Sequence, residues 1–180
     1  MTDTELVDVA DFDRATAENA AGWLRPSCAS TRWIERLVGS RPHGSLGRLA
    51  AASDAAIAAL GWPDIEEALA AHPRIGDRAL RQALPGQEPP GHERELSWSR
   101  QEQAAAAGAG AGVQAELRAG NAEYEERFGH VFLICATGRS ATEMLSALRG
   151  RLGNDAAAER EIVRSELVQI VRLRLTQTFR

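Results

Sequence analysis

The chain has no lysine: all 21 of its basic residues are arginine. Chemistry that needs a lysine amine as a covalent handle, such as pyridoxal phosphate catalysis or Schiff-base decarboxylation, is thereby excluded. A P-loop is excluded for the same reason, since its lysine reaches the terminal phosphates. Metal-ligand spacing is missing as well. His43, His72, His92 and His130 are dispersed, no His-Glu-x-x-His occurs and the two cysteines are far apart, so no metal and no cofactor is expected. No Gly-x-Gly-x-x-Gly follows a strand, and Gly108, Gly110 and Gly112 sit among alanines rather than in a phosphate cradle. No apolar run approaches the roughly 18–20 residues that cross a bilayer, so no membrane span is expected. There is no basic run of five or more, and the net charge of −4 argues against nucleic acid as a partner. The first residues, Met1-Thr2-Asp3-Thr4-Glu5, lack the basic stretch and apolar core of a secretion signal, and Thr178-Phe179-Arg180 is not a Ser-Lys-Leu address. A cytoplasmic location is the expectation, and with it Cys28 and Cys135 as buried, reduced thiols.

What remains is the composition of an ordinary globular protein, with 44% hydrophobic and 26% charged residues in 180. That length suits one domain spanning 1–180. Ala, Leu, Glu and Arg abound, and alternating β-branched and aromatic runs are nearly absent, so the fold class is all-α: an irregular helical array with one short extended apolar segment. Helices are expected near 13–23, 28–38, 45–60, 64–71, 76–83, 99–119, 120–128, 140–152 and 155–178. The seven prolines fall between these segments, where a missing N–H does least damage. The glycines at 108–112 each cost about 1 kcal/mol inside a helix, which predicts a bend or an interruption there. Val131-Phe132-Leu133-Ile134-Cys135 is the one candidate for extended chain. Its backbone groups then need partners other than a sheet ladder, and a substrate rich in amides is one such partner.

Several residues carry chemistry or a cap. His72 ends the helix that begins at Asp64, and Pro73 forces it out of helical geometry. A histidine there is either a C-terminal cap or a proton donor favoured in its charged form by the helix dipole. Glu102 follows Ser99 by three residues, the spacing of a capping box; alternatively Glu102 and Gln103 turn into a pocket, the one to orient or deprotonate a hydroxyl, the other to bind an amide. Arg174 shares a helical face with Leu167, Ile170 and Val171, whereas Arg172 lies on a more polar side and is expected in solvent. A core-facing guanidinium needs a carboxylate or a bound anion, unless it snorkels out near the chain end. Arg139 is expected at the surface, and His130 as a packing aromatic.

Three segments, Ala71-His72-Pro73-Arg74-Ile75-Gly76-Asp77-Arg78, Ser99-Arg100-Gln101-Glu102-Gln103 and Arg127-Phe128-Gly129-His130-Val131-Phe132-Leu133-Ile134-Cys135, occur ahead of the closing Ile170-Val171-Arg172-Leu173-Arg174-Leu175. In that order they resemble the signatures of the 2-oxo-4-hydroxy-4-carboxy-5-ureidoimidazoline (OHCU) decarboxylase family. The resemblance covers roughly residues 10 to 178. Phe128-Gly129-His130-Val131-Phe132 departs slightly from the Phe-Gly-Phe-Pro-Phe common there, keeping the glycine and flanking aromatics.

The resemblance implies cofactor-independent decarboxylation of OHCU to (S)-allantoin in urate catabolism, with a small-molecule substrate and a homodimer as an assembly it allows. It gives His72 the role of acid, Glu102 that of hydroxyl-orienting partner and Arg174 that of anion contact. Pro73, Ser99, Gln103 and the stretch Phe132, Leu133, Ile134, Cys135 and Ala136 become substrate contacts. Two rivals stay open on the residues alone: a non-catalytic helical interaction domain, and a hydrolase of a related ureide, which would need an activated water that no motif here supplies.

Overall fold

The computed structural model describes residues 6–72, 74–75 and 110–180. The expected helix at 76–83 and the segment bearing Ser99, Glu102 and Gln103 lie outside them, as does Pro73. The described residues contain eight helices and no strand. They are α1 (Val9–Arg14), α2 (Ala17–Leu24), α3 (Thr31–Gly39), α4 (Leu46–Ala58), α5 (Trp62–Ala70), α6 (Ala111–Phe128), α7 (Ala141–Arg151) and α8 (Ala156–Thr178). The chain is all-α, as its composition implies.

Short polar side chains start most of these helices. Asp8, Thr16, Ser30 and Ser45 accept from the backbone N–H groups of Ala10, Asn19, Trp33 and Arg48, which would otherwise be unpaired in the first turn. Ser140 and Glu143 form a reciprocal capping box at α7. These caps move several expected boundaries. The single helix expected over 13–23 is two, because Thr16 restarts the helix and Arg41 caps the carbonyls left at the break, donating to Phe12 O at 2.9 Å and Ala15 O at 2.8 Å. The helix expected from 28 waits until Thr31. Conversely, the break expected at 119/120 is absent, and α6 runs through it. This helix starts at Ala111, after an extended Gly110, and residues 99–109 of the helix expected over 99–119 lie outside the described residues.

The chain divides into two compact units. The first comprises residues 1–68 and 168–180, and its described part is built around Phe12, Trp33, Leu37, Leu49 and Ile57, each at most 1% exposed. Trp33 donates its indole N–H to buried Ser53 at 3.1 Å. Val7 and Phe179 form an isolated parallel bridge, and the Phe12 and Phe179 rings meet edge to face at 5.2 Å.

The second unit comprises residues 69–167. Its core joins Ile75, Leu117, Tyr124, Phe132, Ile134, Ala136, Ala141, Met144, Leu145 and Leu148. Here α6 packs on α7, and Gly120 permits the approach: a Cβ on it would lie 2.5 Å from Leu148 Cδ2. That is why the glycine sits inside a helix. Gly129 ends α6 with a φ of 77°, a conformation that L side chains rarely adopt.

Candidate active site

His72 lies just past α5 in the second unit, 8% exposed, and its N–H donates to Leu69 O at 2.9 Å, tightening the last turn. The residues beyond the adjoining proline are clamped to α6. Arg74 places Nε and Nη2 on the two Glu125 oxygens, each at 2.6 Å, and Asn121 Nδ2 donates to Ile75 O at 2.7 Å. Asn121 and Glu125 are four apart and therefore share a face of α6. Ile75 then enters the same core cluster as Phe132, Ile134 and Ala136. The histidine segment and the apolar segment are thus seated on one core.

Residues 131–136 are neither helical nor part of a ladder. Phe132, Leu133, Ile134, Cys135 and Ala136 are all buried, at 2–7% exposure. Phe132, Ile134 and Ala136 belong to the core cluster of the unit and Leu133 and Cys135 do not, which is the period-two alternation of extended chain. The expectation of a buried extended segment is met. Its backbone finds charged side chains in place of a sheet: Glu166 accepts the Cys135 N–H at 2.7 Å, and Arg151 donates to Leu133 O at 2.8 Å.

Arg151 is the centre of a buried polar network that the sequence reading missed. Its Nε and Nη2 reach Glu159 Oε1 at 2.8 and 2.6 Å, and its guanidinium lies 4.6 Å from the Phe132 ring centroid. Tyr124 OH also donates to Glu159 Oε1, and Asn154 Nδ2 donates to Oε2 at 2.8 Å. Burial alone would raise the Glu159 carboxyl, but the bonds from Arg151, Tyr124 and Asn154 outweigh it and hold the group below its ordinary 4.5. Burial, then the bond to Glu159, pushes the Tyr124 phenol above its ordinary 10.0.

His130 packs edge to face on Tyr124 at 5.5 Å, the aromatic role expected of it. Arg139, expected at the surface, is partly exposed and lies 3.4 Å from Glu166.

Arg174 is in the first unit. It is 2% exposed, with Nη1 3.3 Å from Pro26 O, while Arg172 is at the surface and forks onto Asp54. The face shared with Leu167, Ile170 and Val171 thus buries Arg174, and the polar side leaves Arg172 exposed. Near Arg174 is Cys28, whose thiol burial pushes up to about 12, against a backbone bond at Ser30 and the arginine charge, both of which pull it down. Both cysteines are buried and outside any disulfide, as expected.

Among the described residues no three His, Cys, Asp or Glu side chains gather as a metal site, and no helix is long and apolar enough to cross a membrane. The second unit thus offers a histidine at a helix end and a buried run of backbone amides, and the first unit, taken by itself, an inward-facing arginine.

A family model described as OHCU decarboxylase matches residues 13–176. The chain belongs to the OHCU decarboxylase family. It is 32% identical over 152 residues to the uric acid degradation bifunctional protein TTL of Arabidopsis thaliana, covering 84% of this chain and 45% of that protein. It is 35% identical over 104 residues to the 2-oxo-4-hydroxy-4-carboxy-5-ureidoimidazoline decarboxylase of Amia calva, covering 58% and 55%. The chain thus spans about half the length of the curated relatives it matches. Among solved structures, an OHCU decarboxylase crystallised in the presence of (S)-allantoin superposes with a TM-score of 0.69 at 26% identity, over 91% of this chain and 97% of the other. An (S)-allantoin synthase at 17% identity, TM-score 0.67, covering 96% and 54%, shares the fold.

Proposed function

We propose that this member of the OHCU decarboxylase family converts OHCU to (S)-allantoin in urate degradation, as one cytosolic domain spanning 1–180 and without a cofactor. The observation that carries the reading is the family match over residues 13–176, which includes all three motif segments. OHCU bears a carboxylate and a hydroxyl on one ring carbon, beside a C–N system able to hold the electron pair released when the C–C bond to carbon dioxide breaks. The protein has to bind the ring, aim the carboxylate out of its plane, stabilise the enolate-like intermediate and protonate one face. His72 is the acid, Glu102 orients the hydroxyl, and Gln103 with the backbone at 132–136 binds ring and ureido amides. Pro73 and Ser99 line the same substrate. Arg174 is the anion contact, an assignment supported by its burial and by the resemblance.

Freshly generated OHCU followed by circular dichroism tests the reading. Wild-type protein should accelerate the appearance of optically active allantoin, and should do so after chelator treatment. His72→Asn keeps the size and capping ability and loses the titrating ring, so its rate should collapse with its melting unchanged. Glu102→Gln should lose about 10²-fold or more in rate at little cost in stability, because Gln also serves as third residue of a capping box. Wild-type turnover by either folded variant removes that residue from the mechanism.

A further inference from the structure

Extended backbone has two hydrogen-bonding edges, and the N–H and C=O of one residue point to the opposite edge from those of the next. Within 132–136 the two bonds made by buried charged side chains both fall on odd positions, Leu133 through its C=O to Arg151 and Cys135 through its N–H to Glu166. They therefore occupy a single edge. The N–H and C=O of Phe132 and Ile134, on the other edge, meet no hydrogen-bond partner among the described residues, although these residues are 2% and 3% exposed. Buried backbone groups are rarely left unmet, so that edge is built to receive something.

We propose that Glu166 and Arg151 are positioning residues for substrate: they saturate the Leu133/Cys135 edge from within the fold and thereby fix the register at which the Phe132/Ile134 edge pairs with a ureide. The inference rests on the reading that 132–136 binds the ureido end. A ureide offers N–H donors and a C=O acceptor at a spacing that a backbone N–H and C=O match, as one more rung of a ladder would.

The two positioning residues are themselves held. Glu159 grips two nitrogens of Arg151 while a third reaches Leu133, and the guanidinium lies over the Phe132 ring. Glu166 uses one oxygen for the Cys135 N–H and turns the other toward Arg139. An ionised acceptor makes the stronger bond, and a group fixed from behind cannot rotate to spend the same N–H on substrate. The backbone of Leu133 and Cys135 is thus scaffold, and the ligand contacts pass to the alternate residues.

The test compares Glu166→Ala, Glu166→Asp and Glu166→Gln with wild type, reading KM and kcat with freshly generated OHCU, the Kd of (S)-allantoin by calorimetry, and melting. Ala and Asp withdraw the acceptor from Cys135, and Asp does so while keeping the charge beside Arg139. Gln keeps an acceptor oxygen in reach. Loss of register weakens ground-state and transition-state binding alike, so Ala and Asp should raise KM and Kd about 10-fold or more with kcat within about threefold of wild type. Gln should stay within about threefold of wild type in all three. Should Ala fail to fold, Asp carries the comparison. A folded Asp or Ala variant with wild-type KM and Kd overturns the proposal, and so does a Gln variant as impaired as Asp. Wild-type protein that neither turns over OHCU nor binds (S)-allantoin fails before any variant is made, and sinks the function along with this inference.

Discussion

Replacing Glu159 by Gln removes one negative charge from the inside of the second unit and changes almost no volume. Glu159 is fully buried, and its counterpart Arg151 is only 8% exposed. The carboxylate accepts two bonds from Arg151, one from Tyr124 and one from Asn154. After the substitution a guanidinium stays buried without its counter-charge, and an amide N–H₂, which donates and cannot accept, replaces one of the two oxygens, so that either Asn154 or the Arg151 and Tyr124 donors lose their acceptor. Breaking a buried ion pair from one side costs about 3–5 kcal/mol, and the isosteric change puts this case near the lower end. For a chain of this size about 3 kcal/mol corresponds to a fall of about 6–12 °C in Tm. The pH dependence has a definite sign. Because the folded-state pKa of Glu159 lies below its ordinary 4.5, its stabilisation is complete above 4.5 and is lost as pH falls through the folded value. Melting followed by circular dichroism should therefore show a wide gap between wild type and Glu159→Gln at neutral pH, closing in acid. A gap of less than about 2 °C at neutral pH corresponds to under 1 kcal/mol and would refute the claim that this pair holds the unit together.

Gly120→Ala should lower the melting temperature, although Ala favours helix by about 1 kcal/mol, because the new Cβ meets the fully buried Leu148 and forces repacking that costs about 1–3 kcal/mol; a higher Tm would mean that Leu148 swings aside freely. Cys28 should resist alkylation in the native protein under mildly alkaline conditions and react only on unfolding, as mass spectrometry of the labelled peptide would show. Its folded pKa is raised, so the associated stability is present in full below the ordinary 9.0 and lost as pH rises toward about 12.

Local signals read the fold well wherever the cause of a feature is local. Serine, threonine or aspartate ahead of an apolar stripe starts most helices, and an apolar run after Phe128-Gly129 gives the buried extended segment. Reading failed where the cause is tertiary. The break between α1 and α2 is stabilised by Arg41, far along the chain, and no local pattern announces it. The sequence predicts a helix boundary at 119/120, yet Gly120 lies inside one helix, where it admits the close approach of Leu148. The site shows the same division. The periodicity that selected Arg174 over Arg172 was sound, and applied further up α8 it also selects Glu166 and Glu159, which lie eight and fifteen positions before Arg174 on the face that carries buried Val163, Leu167 and Ile170. Charged residues on the apolar stripe of the closing helix were the available signal for the network. Their partners, a backbone N–H at Cys135 and a guanidinium at Arg151, come from other elements and could not be paired by spacing. Ser99, Glu102 and Gln103 fall outside the described residues, so their assignment rests on sequence.

The absence of lysine acquires a physical meaning in this context. A lysine ammonium is a compact point charge, whereas the planar fork of arginine can serve several acceptors at fixed angles. Arg151 uses that property in full, binding a carboxylate and a backbone carbonyl while its face covers an aromatic ring. Arg41 spreads over three carbonyls, those of Val38, Phe12 and Ala15, and Arg74 meets both oxygens of Glu125. At each of these places the cation organises backbone or carboxylate geometry, and its charge alone would not suffice. The decarboxylation proposed above would need no lysine nucleophile, but it would need rigid surroundings that keep the leaving carboxylate and the accepting system aligned. Arg151, locked by buried Glu159, holds the buried extended segment in this way through the Leu133 carbonyl and the Phe132 ring.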